Sequence, residues 1–131
     1  MEKVKRFEDL EVFQRARVLC KEIYRITRGE PFKNDFRFVQ QIRAASGSIM
    51  DNIAEGFERD GNKEFVNFLY IAKGSCGEVK SQLLRASDVG FIEKEIYDEL
   101  SQQCMEIGKL LFSLISSIRQ SDVTGIKYRD S

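Results

Sequence analysis

The chain contains no histidine. That removes the commonest general base and the commonest transition-metal ligand near neutral pH. A Ser-His-Asp or Cys-His nucleophile cannot be assembled within one chain. Histidine-ligated haem is excluded, as is a di-iron bundle built on Glu-x-x-His pairs. Net charge is also missing: 21 Lys and Arg balance 21 Asp and Glu. A general polyanion binder is usually basic overall, so neutrality confines any such role to a local patch. No apolar run reaches the roughly 18–20 residues of a membrane span, and none is expected to cross one. Met1 to Leu10 is charged from its second residue and has no apolar h-region, so the cytoplasm is the expected location. Cys20, Cys76 and Cys104 are odd in number, far apart and outside any CxxC pair. A disulfide scaffold is not expected; reduced, buried thiols are.

What remains is helical patterning. The single proline, Pro31, follows Gly29, so Gly29-Glu30-Pro31 ends one helix and opens a connector. Asp60-Gly61-Asn62 reads as a turn with Asn62 as a cap. Asp88-Val89-Gly90 closes a helix on a glycine. Four segments result, at about 9–29, 35–58, 62–88 and 93–120, followed by a polar tail over 121–131. Each carries an apolar stripe at helical spacing. Leu10, Phe13, Ala16, Leu19 and Ile23 mark the first, and Ile42, Ser46, Ile49, Ile53 and Phe57 the second. Phe65, Leu69, Ala72, Cys76, Val79 and Leu83 mark the third, and Leu100, Cys104, Ile107, Leu111, Leu114 and Ile118 the fourth. Short connectors make sequential helices antiparallel neighbours. The expected fold is all-α, one antiparallel up-down-up-down four-helix bundle over residues 1–120.

Gly47, Gly74, Gly77 and Gly108 lie inside helices, each at a cost of about 1 kcal/mol relative to alanine. With small neighbours around them, they are expected to let helices approach closely; a ligand cleft is the other reading. The fourth helix is apolar over roughly 220°, more than a lone amphipathic helix needs. Beside its core stripe stand Tyr97, Met105, Phe112 and Ile115, and the third helix adds Val66, Tyr70 and Leu84. These seven are the expected surface of a homo-oligomer. The alternative cover is the tail, folded back with Val123, Ile126 and Tyr128.

Three polar constellations follow. Arg17, Lys21, Arg25 and Arg28 fall within roughly 80° on the first helix, opposite its core face. Such a row suits phosphates along a nucleic-acid backbone; an ordinary solvated face is the other reading. Arg15, Arg37 and Arg43 are further candidates. Asp51, Glu55 and Glu58 make an acidic row on the second helix, too few and too aligned for a metal cage or a carboxylate pair. Ser48 and Asn52 border its core stripe, where hydrogen bonding between helices is expected. No catalytic residue, metal site or cofactor is expected.

The run Gln41 to Phe57, with Ser48-Ile49-x-x-Asn52-Ile53-Ala54-Glu55-Gly56 at its centre, resembles the bacterial four helix bundle protein family. This is also the 23S rRNA-intervening sequence protein family. Phe7 to Ala16, Lys63-Glu64-Phe65, Phe68-Leu69, Gly74-Ser75 and Gln82-Leu83 fit the same family. The chain is similar as well to the accessory variability determinant of diversity-generating retroelements, a basic pentamer that binds nucleic acid and a reverse transcriptase. The resemblance implies a cytoplasmic, non-enzymatic homopentamer, with RNA or DNA as the expected partner. An adaptor that binds another protein through an apolar groove, without nucleic acid, is the alternative.

Overall fold

The computed structural model describes residues 4–124, and side chains through Ser121. Among these residues the regular elements are four long helices and two single-turn 3-10 segments, Phe7–Asp9 and Glu30–Phe32. We name the helices α1 (Glu11–Thr27), α2 (Phe36–Glu58), α3 (Asn62–Asp88) and α4 (Lys94–Thr124). α2 packs on α3, α3 on α4, and α1 closes the square against both α2 and α4. α4 continues past the expected end near residue 120 and takes in Ser121–Thr124. The expected tail cover, with Ile126 and Tyr128, lies outside the described residues.

Each helix begins or ends where local chemistry directs. Asp35 caps α2, its Oδ1 accepting the Phe38 N–H at 3.1 Å, which satisfies one of the orphan donors of the first turn. Asn62, expected as a cap, is instead the first residue of α3; the capping position belongs to Gly61, whose φ of +121° only glycine adopts readily. α3 ends in a Schellman motif. Gly90 takes φ +78°, its N–H donates to Ser87 O at 3.1 Å, and the Phe91 N–H donates to Ala86 O at 2.8 Å.

The core is the set of stripes turned inward. Leu19, Ile23, Ile42, Ile49, Ile53, Phe65, Leu69, Leu83 and Leu111 are fully buried. At the end of the bundle where α1 gives way to α2, Phe32, Phe38 and Phe91 form an aromatic plug, with Phe32 and Phe91 edge to face at 5.0 Å.

Two expectations are corrected. The interior glycines do not mediate close packing within the chain. A Cβ built on Gly47, Gly74, Gly77 or Gly108 would meet nothing within 4 Å. The close approach occurs at Gly56, where an added Cβ would lie 2.6 Å from Phe68 Cβ. Val66 and Ile115, expected on an oligomer surface, are buried in the chain's own core. A helix in a four-sided bundle has two neighbours, so its buried arc exceeds a single stripe.

Candidate nucleic-acid interface and oligomer face

On α1 the core residues Leu19 and Ile23 point into the bundle, which turns Arg17, Lys21, Arg25 and Arg28 to solvent, where all four are exposed. Lys21, Arg25 and Arg28 border one shallow depression together with Val18 and Glu22. Lys21 and Arg28 border a second with Cys20 and Tyr24. Among the described residues no carboxylate lies within ion-pair distance of Arg17, Lys21 or Arg28. Their charge is therefore available to an external anion. Arg25 is engaged by Glu22.

The other candidate cations separate. Arg43 is half-buried between α1 and α2. Its Nε donates to Thr27 Oγ1 at 2.8 Å, and its guanidinium lies 4.5 Å from the centre of the Tyr24 ring. It thus holds an exposed Tyr24 in place beside Lys21 and Arg28. Arg15 is shared by Glu11 at 3.3 Å and Glu106 at 3.5 Å, which leaves little charge for a phosphate. Arg37 lies apart, beside Gln41, Arg85 and Val89 near the α2–α3 side. The structure therefore gathers Lys21, Arg28 and Arg43 around Tyr24 on the α1–α2 face, with Arg17 one turn before Lys21 on the same side of α1. Tyr24 was not singled out from the sequence; the signal was an aromatic spaced three from Lys21 and four from Arg28 on one helix.

The second face lies between α3 and α4. Tyr70, Leu84, Met105 and Phe112 are exposed, Phe112 by 59 %, while Tyr97 is half-buried. Met105 and Phe112 border an open groove of about 670 Å³ whose floor includes Gly77 and Gly108. Lys73, Lys80 and Lys109 stand at its rim, and Arg119 stacks on Tyr70 at 5.3 Å. The sequence reading missed these lysines, because no row of cations marks them: they come from two helices and meet only in the folded bundle.

Cys76 and Cys104 lie beneath this groove, both buried. Burial pushes each thiol up to about 12, well above the ordinary 9.0. Thiols so placed are small apolar core groups and poor nucleophiles. Among the described residues, no cluster of three His, Cys, Asp or Glu side chains is placed to hold a metal ion. No helix among them is long and apolar enough to cross a membrane.

The quoted α2 motif is explained by packing. Asn52 Nδ2 donates to Ser48 O at 2.8 Å and to Ser48 Oγ at 2.9 Å. Ser48 Oγ meets Ser75 Oγ of α3 at 3.0 Å, and Ser75 Oγ donates to Ile71 O at 3.2 Å. This polar seam, with Ile49 and Ile53 in the core and Gly56 against Phe68, sets how α2 lies on α3. The profile of the 23S rRNA-intervening sequence proteins matches residues 8–113, a span that includes the whole seam.

The chain belongs to the 23S rRNA-intervening sequence protein family. A solved structure of a member of the S23 ribosomal protein family from Bacteroides thetaiotaomicron, itself of unknown function, has the same fold. It is 27% identical, superposes with a TM-score of 0.73, and the match covers 79% of this chain and 97% of that one. No curated protein matches the chain. In this member of the family, the central run Ser48–Gly56 serves the α2–α3 contact, while the α1 cations, Arg43 and the α3–α4 groove lie outside it.

Proposed function

We propose that this protein is a non-enzymatic, cytoplasmic homo-oligomer that associates with nucleic acid through the α1–α2 face. The observation that carries the reading is the row of Arg17, Lys21 and Arg28 on α1, exposed and without carboxylate partners among the described residues, with Lys21 and Arg28 beside a Tyr24 held by Arg43. Cations of this kind contact phosphates and carry no base readout, while a tyrosine face stacks on an unpaired base. The family description refers to 23S rRNA intervening sequences, which favours RNA as the first polyanion to try. The pentameric ring implied by the resemblance would repeat the face around its rim. Several weak contacts would then act together, and this allows a neutral chain to bind a polyanion.

The test is fluorescence anisotropy with single-stranded RNA and with DNA at low salt. Binding is expected to weaken steeply as salt rises. Replacing Arg17, Lys21 and Arg28 by alanine should flatten the slope of log K against log salt by about 0.7 per lost contact on a single strand. No affinity for either polymer at low salt would remove the proposal. The exposed α3–α4 groove favours one second reading, a protein-binding adaptor; a host partner that persists after nuclease treatment would support it.

A further inference from the structure

The groove between α3 and α4 combines three properties. Its floor contains Gly77 and Gly108, at which an added Cβ would meet no atom within 4 Å, so another backbone can come close. Its exposed surface includes Met105 and Phe112. Its rim is cationic, with Lys73, Lys80 and Lys109 free of ion pairs among the described residues. An apolar floor with a one-signed rim fits a protein surface of opposite charge better than a phosphate backbone, which has no apolar side to offer.

A surface of that kind exists on the same chain. The Ser48–Ser75 contact marks the seam where α2 meets α3. Asp51 and Glu55 follow Ser48 by three and seven residues, and Ile71 and Glu78 flank Ser75 by four and three, so helical spacing sets them along that seam. All four are exposed, Ile71 by 53 %. Asp51 and Glu78 have no cation within ion-pair distance among the described residues. Glu55 is paired with Arg59, and Arg37 and Arg85 occupy the far end of the same side, so the free acid is local: Asp51 and Glu78 at the middle of the α2–α3 seam, against the lysines of the α3–α4 side.

We propose that the lysine-rimmed α3–α4 groove receives the acidic α2–α3 face of a second copy of this chain, in a head-to-tail contact. The levels agree. Ile71 and Glu78 each lie within two residues of a groove lysine, Lys73 and Lys80, along α3, so two copies side by side with parallel bundle axes bring acid to lysine and Ile71 to the Phe112 region. The two faces share α3 and are adjacent on a four-sided bundle. Their outward directions differ, so successive contacts turn from copy to copy, as a closed ring requires, instead of running straight. The proposal rests on the homo-oligomer reading above and adds which surfaces meet.

Charge reversal tests it, with mass in solution measured by analytical ultracentrifugation over a dilution series. The wild-type chain is expected to assemble. The pair K73E/K80E and the pair D51K/E78K should each raise the dissociation midpoint by about tenfold or more, since each juxtaposes like charges. The quadruple variant with both pairs reversed should assemble again. Lys73, Asp51 and Glu78 are exposed and Lys80 is half-buried at the groove rim; circular dichroism checks that each variant remains helical, and the neutral pairs K73Q/K80Q and D51N/E78N serve if a reversed pair unfolds. A wild-type assembly unaffected by the acidic-face variants would overturn the pairing and leave the oligomer reading standing. A quadruple variant that stays dissociated would also overturn the pairing. A wild-type monomer at micromolar concentration would overturn both.

Discussion

Gly56 and Gly47 lie on the same helix and cost the same helix propensity, yet the structure gives them opposite roles. A methyl group on Gly56 would press on Phe68 Cβ, which is not a flexible side-chain end, and on Phe65 Cδ1 at 3.2 Å. Overpacking of this kind costs about 1–3 kcal/mol, against a propensity gain of about 1 kcal/mol. Gly56→Ala is therefore expected to lower unfolding stability. Gly47→Ala, with open space around its Cβ, should raise it by up to about 1 kcal/mol. Urea unfolding of the two variants side by side checks the pair, and a Gly56→Ala chain as stable as the wild type would contradict the close approach. The sequence showed that both residues sit in a helix. It did not show which one has a neighbour, because that neighbour comes from α3 and depends on how the two helices cross.

At the scale of the elements, most of the fold could be read directly. Core stripes such as Phe65-Leu69-Ala72-Cys76-Val79-Leu83 are buried throughout, because a 3.6-residue period projects onto one face whatever the partner. Stops were legible where glycine must take an unusual φ. Gly90, at +78°, closes α3 in a conformation that a β-carbon makes costly. Gly90→Ala is expected to cost about 1 kcal/mol, and thermal melting should register it as a drop in Tm of a few degrees. An unchanged Tm would mean that the Schellman motif does not contribute. Val66 and Ile115 were less legible. Their spacing places them beside the stripe, and only the presence of a second neighbouring helix decides that such a position is interior.

At the scale of the whole molecule, the two proposed surfaces are expected to respond differently to ionic strength. Phosphate contacts by exposed cations weaken steeply with salt. A subunit contact with Phe112, Met105 and Ile71 at its centre holds apolar area that salt does not screen. Raising salt is therefore expected to release RNA while the assembly persists. Anisotropy and ultracentrifugation on one salt series would show the two transitions separately, and coincident transitions would mean that nucleic acid holds the assembly together. The candidate site was half legible at this scale. The α1 stripe could be read because its cations lie on one helix at spacings of three and four. Arg43 was a candidate by sequence, but its place behind Tyr24 and the groove lysines could not be read, because the residues they meet are distant in the chain.

Composition and periodicity determined what this chain can build: no histidine chemistry, no charge excess, four amphipathic helices and the turns between them. These are local properties, set by residue type and by the geometry of a single helix. The tertiary structure decided which cations retain free charge, which glycines face open space, and which apolar residues remain outside. Those outcomes depend on the angles and offsets at which helices pack, and many small contacts between residues far apart in the chain settle them together.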